Sequence, residues 1–206
     1  MNDSIKIIGL CGRSGSGKGY VCSLFAKHGI PSIDTDLVYR EILSHRTGGC
    51  LAELSREFGD TVHTADGYLD RKELSRIVFS DKKKLSRLNS ITHKYILEET
   101  KKLIETARQE GKAAIIVDAP VLFESGFDKI CDVTMCVTAS DSISVERIIA
   151  RDGISKDDAM MRLSHQMSVD ELRKLCDAEI VNDGSRDVTA AVEALVKSII
   201  GGSYEE

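Results

Sequence analysis

The 206-residue chain contains no tryptophan and only two prolines, and basic residues are not in excess. The scarcity of proline excludes collagen-like, mucin-like and proline-rich linker architectures. Lys and Arg total 28 against 33 Asp and Glu, which gives a formal net charge of −5. This balance disfavours a nucleic-acid binder that depends on a global positive field, but it leaves room for a local basic pocket.

Long apolar segments are also missing. The chain starts Met1-Asn2-Asp3-Ser4, without the basic start and long apolar stretch of a signal peptide. No run approaches the ~18 apolar residues that span a bilayer. We therefore expect a cytoplasmic protein with no membrane partner and no nucleic-acid partner. The sequence does not set the oligomeric state, and a monomer is the expectation.

Cysteine is present without a recognisable ligand or disulfide pattern. The six cysteines include no Cys-x-x-Cys pair, in a chain that is long for a disulfide scaffold. They are Cys11, Cys22, Cys50, Cys131, Cys136 and Cys176. Structural free thiols are favoured over a metal or redox site, which stays the alternative.

The periodicity of apolar residues predicts one α/β domain over residues 1–206. Hydrophobic residues make up 42% of the chain, enough to form a core. Short, unbroken apolar runs are typical of strands buried in a parallel sheet. Five such runs occupy 5–11, 31–33, 113–117, 133–137 and 179–181. Helical patterns alternate with them, so we predict a five-stranded parallel sheet flanked by helices.

Helical periodicity continues well beyond what one crossover between parallel strands requires. It runs through 37–44, 49–58 and 82–108, the last as one long helix or two in succession. Asp70 is placed to cap a further helix, with Glu73 at the capping-box spacing. We predict a helical substrate-side insertion at about 37–110. Shorter helical patterns follow at 142–151, 156–166, 170–175 and 188–199, and residues 201–206 are expected to be frayed.

A glycine-rich motif follows the first predicted strand and precedes the first predicted helix. It reads Gly12-Arg13-Ser14-Gly15-Ser16-Gly17-Lys18 and fits the phosphate-loop pattern G-x-x-x-x-G-K. Its glycines allow backbone N–H groups to converge on phosphate oxygens, and the lysine supplies a positive charge. The alternative is a glycine-rich turn with an incidental lysine.

The motif departs from the usual pattern directly after the lysine. A Ser or Thr hydroxyl normally follows there and ligates Mg²⁺, whereas this chain has Gly19 and then Tyr20. Mg²⁺ keeps several waters and can be held by phosphates and outer-shell carboxylates. We therefore expect nucleotide binding to survive this change better than the catalytic rate.

Carboxylates follow two of the predicted strands. Asp34 and Asp36 come after the second strand, where a carboxylate can accept a substrate proton or position Mg²⁺ through water. Helix capping by Asp36 is the equal alternative. Asp118 closes the third strand, at the position of the metal-assisting acid of phosphate-loop enzymes, or it is a turn residue.

Two arginines lie one helical turn apart on the helix predicted for 142–151. Arg147 and Arg151 therefore share a face. Arginine suits bidentate contact with phosphate and stabilises charge in phosphoryl transfer. A solvent-exposed basic face is the alternative. The charged segment at about 152–166 is a candidate lid.

In this order, these features resemble the dephospho-CoA kinase family from about residue 7 to 199. Besides the loop, the resemblance rests on a series of short segments. These are Gly29-Ile30-Pro31, Ile33-Asp34-Thr35-Asp36, Tyr39-Arg40-Glu41, Asp66-Gly67-Tyr68-Leu69-Asp70-Arg71, Pro120-Val121-Leu122-Phe123-Glu124, Ala150-Arg151-Asp152-Gly153, Gln166-Met167-Ser168 and Ile180-Val181-Asn182-Asp183-Gly184. The chain departs from the family in the loop and at Lys94, where a proline is usual.

The resemblance implies a P-loop NTPase fold and transfer of the ATP γ-phosphate to the ribose 3′-hydroxyl of dephospho-CoA, with Mg²⁺. It implies three catalytic residues, which are Lys18, Arg147 and the general base Asp36. On the ATP side it implies Arg151, Asn182 and the loop residues Gly12, Ser14, Gly15, Ser16, Gly17, Gly19 and Tyr20. On the acceptor side it implies Asp36, Arg40, Arg71 and Glu124.

Asp34 and Asp118 are candidates for the outer shell of the metal. Two other functions stay open, because fold and loop do not specify the acceptor. One is a related kinase that acts on another small nucleotide-like acceptor. The other is a non-catalytic nucleotide-binding homologue that lacks the metal hydroxyl.

Overall fold

The computed structural model describes residues 5–200 and has the predicted α/β architecture. Its strands are β1 Lys6–Cys11, β2 Ser32–Asp34, β3 Ala114–Asp118, β4 Val133–Thr138 and β5 Ala178–Val181. They form one five-stranded parallel sheet in the order β2-β3-β1-β4-β5. Each strand lies within one residue of its predicted bounds, because buried β-branched runs mark strands clearly.

Nine α-helices and two short 3-10 turns are found in residues 5–200. The helices are α1 Lys18–Lys27, α2 Thr35–Ile42, α3 Gly49–Phe58, α4 Arg71–Phe79, α5 Lys82–Gln109, α6 Asp141–Asp152, α7 Lys156–Ser164, α8 Val169–Leu175 and α9 Val188–Ile200. The 3-10 turns are Asp60–Val62 and Phe127–Ile130. The fraying expected for 201–206 lies outside the described residues.

The described chain divides into two compact units. The first comprises residues 5–33 and 104–200, and the second comprises 34–103. The second unit overlaps most of the helical region expected at 37–110. The assignment of that region to an acceptor, within a single domain, stays a prediction.

One core cluster of the first unit lies on one face of the sheet. Ile8 and Leu10 of β1 point to this face, since side chains alternate along a strand. They are fully buried with Phe25 of α1 and Ile116 of β3. Val192 of α9 belongs to the same cluster. Leu10, near the end of β1, is thus anchored in this cluster just before the glycine loop begins.

The second unit has a separate helical core. Leu54 of α3, Leu74 of α4 and Ile91 of α5 are buried in one cluster. Asp70 caps α4 as predicted, by accepting hydrogen bonds from the N–H groups of residues 72 and 73. The second hydrogen bond of a capping box, from the Asp70 N–H to the Glu73 carboxylate, does not form. The Glu73 carboxylate binds Arg76 instead, so the capping-box prediction is wrong in this half.

The cysteines are free thiols, as expected for structural residues. Burial raises the pKa of Cys50 to about 11 and that of Cys131 to about 12, so both stay protonated at neutral pH. Within residues 5–200, no group of three or more His, Cys, Asp or Glu side chains is arranged to hold a metal ion. In the same range, no helix is both long and apolar enough to cross a membrane.

Candidate active site

The glycine loop connects β1 to α1 in a backbone conformation that requires glycine. Gly15 and Gly17 have φ angles of 78° and 92°, in the left-handed region. A Cβ atom on Gly15 would lie 2.4 Å from the Ser144 carbonyl oxygen, and one on Gly17 would lie 2.2 Å from Asn182 Nδ2. These glycines therefore allow both the turn and the close approach of neighbouring groups.

The loop leads directly into the N-terminus of α1. Gly17 is the N-cap and provides no side-chain hydrogen bond, and the first turn contains no acidic residue. The first N–H groups of a helix lack intrahelical partners and carry the positive end of the helix dipole. This end of α1 is therefore suited to bind an anion such as phosphate.

Lys18 and Asp118 meet beside the loop. Lys18 Nζ lies 3.9 Å from Asp118 Oδ1, and both side chains are mostly buried. Lys18 Nζ also donates to the Gly12 carbonyl oxygen at 3.4 Å. Cys22 Sγ donates to Asp118 Oδ2 at 3.9 Å. Asp118 is the last residue of β3 and pairs in register with Leu10 of β1. This pairing places the Asp118 carboxylate beside the loop that follows β1 and leads to Lys18.

Arg147 binds the backbone of the glycine loop. Its Nη1 donates to the carbonyl oxygens of Gly15 at 3.2 Å, Ser16 at 3.4 Å and Asn182 at 2.9 Å. Asn182 Nδ2 donates to the Ser16 carbonyl oxygen at 2.8 Å. The solvated-face alternative is therefore wrong for Arg147, whose side chain is half-buried against the loop.

Arg151 has different surroundings, although it lies on the same helix. It is exposed and binds its neighbour Asp152 through Nε at 2.7 Å and Nη2 at 2.9 Å. Asp152 also binds Arg162 of α7. These two arginines hold the pKa of Asp152 well below its usual range. The proposed lid helix α7 packs on α6 through a small apolar cluster that includes Ala159 and Leu163.

The second unit contains the remaining candidates, apart from Glu124. Asp34, not Asp36, is the N-cap of α2: Asp34 Oδ1 accepts the N–H of Asp36 at 2.8 Å and that of Leu37 at 3.2 Å. The capping alternative for Asp36 is therefore wrong, and α2 begins two residues before the predicted start. The Asp36 carboxylate is exposed in the first turn of the helix. Arg71 Nη2 donates to the Arg40 carbonyl oxygen at 3.3 Å.

Glu124, the remaining predicted residue, is exposed in the turn region after β3. Three other side chains have roles that the sequence did not predict. Two of them, Arg13 and Gln166, bind the loop to the C-terminal end of α7. The Asn182 contact with the loop was also unforeseen, since it joins residues 166 positions apart. The sequence marks Gln166 and Asn182 only as members of segments shared with the family, and Arg13 only as a residue of the loop.

Comparison with known proteins gives consistent results. The family model described as dephospho-CoA kinase matches residues 6–187. The chain is 37% identical over 203 residues to a dephospho-CoA kinase of Symbiobacterium thermophilum, covering 98% of this chain and 84% of the relative. It is 38% identical over 184 residues to that of Corynebacterium diphtheriae, covering 89% and 92%.

Solved structures add the fold. Dephospho-CoA kinase from Campylobacter jejuni is 25% identical, with a TM-score of 0.68 and coverage of 96% of this chain and 98% of that one. Shikimate kinase from Acinetobacter baumannii is 15% identical, with a TM-score of 0.54 and coverage of 98% and 97%. The second likeness shows the fold alone.

Proposed function

The chain belongs to the dephospho-CoA kinase family, and from this premise we propose that it transfers the γ-phosphoryl group of ATP to the ribose 3′-hydroxyl of dephospho-CoA. The proposal depends above all on the phosphate loop between β1 and α1, with Lys18 Nζ 3.9 Å from Asp118. Family membership supports the acceptor, since many kinases share such a loop.

Charge stabilisation is the proposed role of the loop and its neighbours. Lys18 and the α1 N-terminus are proposed to stabilise the negative charge that spreads over the transferring phosphoryl group. Arg147 Nη1 is committed to three carbonyl oxygens. The other N–H donors of its guanidinium are proposed to contact ATP phosphates, as is the exposed Arg151. Asn182 is proposed to lie near the adenine.

Asp36 is the proposed general base for the acceptor hydroxyl. Capping of α2 is performed by Asp34, which leaves the Asp36 carboxylate exposed and available to accept a proton. Arg40, Arg71 and Glu124 are proposed on the acceptor side. Arginine suits the anionic phosphates of such a substrate.

We propose that Mg²⁺ is held mainly by the phosphates of ATP, with carboxylates of the protein in its outer shell. Asp118 provides carboxylate oxygens beside the loop, of the kind that Mg²⁺ binds directly or through water. Asp34 is the second candidate. Gly19 provides no hydroxyl, so the protein's share of the metal shell is smaller than in loops with Ser or Thr. If bound, Mg²⁺ would supply positive charge that neutralises the phosphates, with Asp118 and Asp34 as its proposed outer-shell carboxylates.

A coupled assay of ADP release tests this function. Wild-type protein is given ATP and Mg²⁺ with dephospho-CoA, adenosine, AMP or no acceptor, and the product is identified by mass spectrometry. We expect ADP release that depends on dephospho-CoA, with one phosphoryl group added to that acceptor. Lys18→Ala protein, purified identically, controls for contaminating kinases.

The same assay separates the alternatives. Turnover with AMP or adenosine but not with dephospho-CoA would favour a kinase with another acceptor. ATP binding without turnover on any acceptor would favour a non-catalytic homologue. The observation behind this alternative is the missing metal-binding hydroxyl at Gly19.

A further inference from the structure

Arg13 is the second residue of the phosphate loop, and its side chain binds other parts of the protein. The side chain is only 12% exposed. Its Nη1 lies 2.5 Å from Asp141 Oδ1, and its Nη2 donates to the Leu163 carbonyl oxygen at 2.9 Å. Both terminal nitrogens of the guanidinium are therefore committed to other parts of the first unit.

The two partners of Arg13 are helix ends with matching charge. Asp141 is the first residue of α6, where a carboxylate is favourable next to the positive end of the helix dipole. Leu163 lies in the last turn of α7, and its carbonyl oxygen also accepts the N–H of Gln166 at 3.1 Å. A cation at the C-terminal end of a helix is favourable. Arg13 thus connects the loop to two rigid elements.

A second connection involves the next residue of the loop. The Ser14 N–H donates to Gln166 Oε1 at 2.9 Å, and Gln166 Nε2 donates to Ser14 Oγ at 3.3 Å. Gln166 lies two residues after the end of α7. Two successive loop residues are therefore held by the same short segment of chain.

We propose that Arg13 is a positioning residue that holds the phosphate loop in its ATP-binding conformation, an inference that rests on the function proposed above. Backbone N–H groups bind phosphate strongly only when they are already oriented, because ordering a loop on binding costs conformational free energy. Since both terminal nitrogens bind protein oxygens, Arg13 acts through the loop and not by touching ATP.

Steady-state kinetics of variants test this role. Arg13→Ala should raise the KM for ATP by about tenfold, a change of about 1.4 kcal/mol. The kcat at saturating ATP and the KM for dephospho-CoA should change by about twofold or less, because the acceptor does not depend on the loop. Asp141→Asn should raise the KM for ATP less, and adding it to Arg13→Ala should have no further effect.

Arg173→Ala is the matched control. Arg173 binds Asp170 at 3.2 Å and Glu179 at 2.8 Å, so its loss removes two ion pairs from the same unit that do not involve the loop. We expect the kinetics of this variant to match wild type. Arg13→Lys provides a second test if Arg13→Ala does not fold. It should raise the KM for ATP and keep kcat, because an ammonium group cannot reproduce the fork-shaped contacts.

Several results would overturn the proposal. One is an unchanged KM for ATP in Arg13→Ala, or in Arg13→Lys if the Ala variant does not fold. Another is a fall in kcat and a rise in the KM for dephospho-CoA as large as the rise in the KM for ATP. Additive effects of Arg13→Ala and Asp141→Asn, or the same kinetic changes in Arg173→Ala, would also contradict it. Calorimetry of ATP binding to the same variants separates this inference from the proposed function. If wild type does not phosphorylate dephospho-CoA, that function fails, while the ATP affinity of Arg13→Ala still decides the role of Arg13.

Discussion

Gly19 offers a direct test of the missing metal hydroxyl. It is the second residue of α1 and is exposed. A Cβ atom built on it meets no atom within 4 Å. Its φ angle is outside the left-handed region, so a larger residue causes no backbone strain. Gly19→Ala and Gly19→Ser should therefore both fold, and they differ from each other by one hydroxyl.

The expected magnitudes separate stability from metal binding. Replacing a helical Gly by Ala gains about 0.5–1 kcal/mol. For a chain of this size, 1 kcal/mol shifts the Tm by about 2–4 °C, so we expect an increase of about 1–4 °C in Gly19→Ala. A well-placed hydroxyl ligand is worth about 1 kcal/mol. Gly19→Ser should thus lower the Mg²⁺ concentration that gives half-maximal activity by about fivefold.

Thermal unfolding and a magnesium titration of ADP release measure these two effects on wild type and both variants. Identical Mg²⁺ dependence in Gly19→Ser and Gly19→Ala would refute the idea that a hydroxyl at this position completes the metal shell. A lower Tm in both variants would refute the conclusion that residue 19 faces open space.

Four other predictions concern charged and hydrogen-bonding side chains. Lys18→Ala should lower turnover by about 100-fold or more, through lost charge stabilisation, and leave the protein folded with a lower Tm, because Asp118 loses its buried partner, as checked by ADP release and calorimetry. Asp36→Asn should lower transfer by about 100-fold or more and keep the affinity for ATP, and equal loss of ATP binding and fold would contradict the general-base role. Asn182→Ala removes the 2.8 Å hydrogen bond to the loop and should raise the KM for ATP by several-fold, at a cost of about 1 kcal/mol in unfolding free energy. Asp177 accepts hydrogen bonds from the N–H and hydroxyl of Thr134, which lower its pKa; its stabilisation is present above the unfolded pKa of about 3.9 and lost as the pH falls through the lower folded pKa. The Tm difference between wild type and Asp177→Asn should therefore shrink in that acidic range, and a constant difference would contradict this linkage.

Local features of the chain were predictable because neighbouring residues decide them. The buried strands, the glycine loop and the Asp70 cap each depend on a few consecutive side chains. The long helix α5 also forms as one piece, with Lys94 inside it, because no proline interrupts the backbone hydrogen bonds. Where two local solutions competed, the sequence did not decide. Asp34 and Asp36 can both cap a helix, and only the structure shows that Asp34 does so.

The sequence by itself determined the parallel α/β fold, the phosphate loop and the family resemblance, since these depend on periodicity and on motifs of adjacent residues. Only the tertiary structure decided what surrounds the loop. Arg13 and Asp141 are 128 positions apart, and Asn182 and Ser16 are 166 positions apart. Such pairs meet because parallel strands bring distant segments to the same edge of one sheet, and no local pattern of residues encodes which of them will touch.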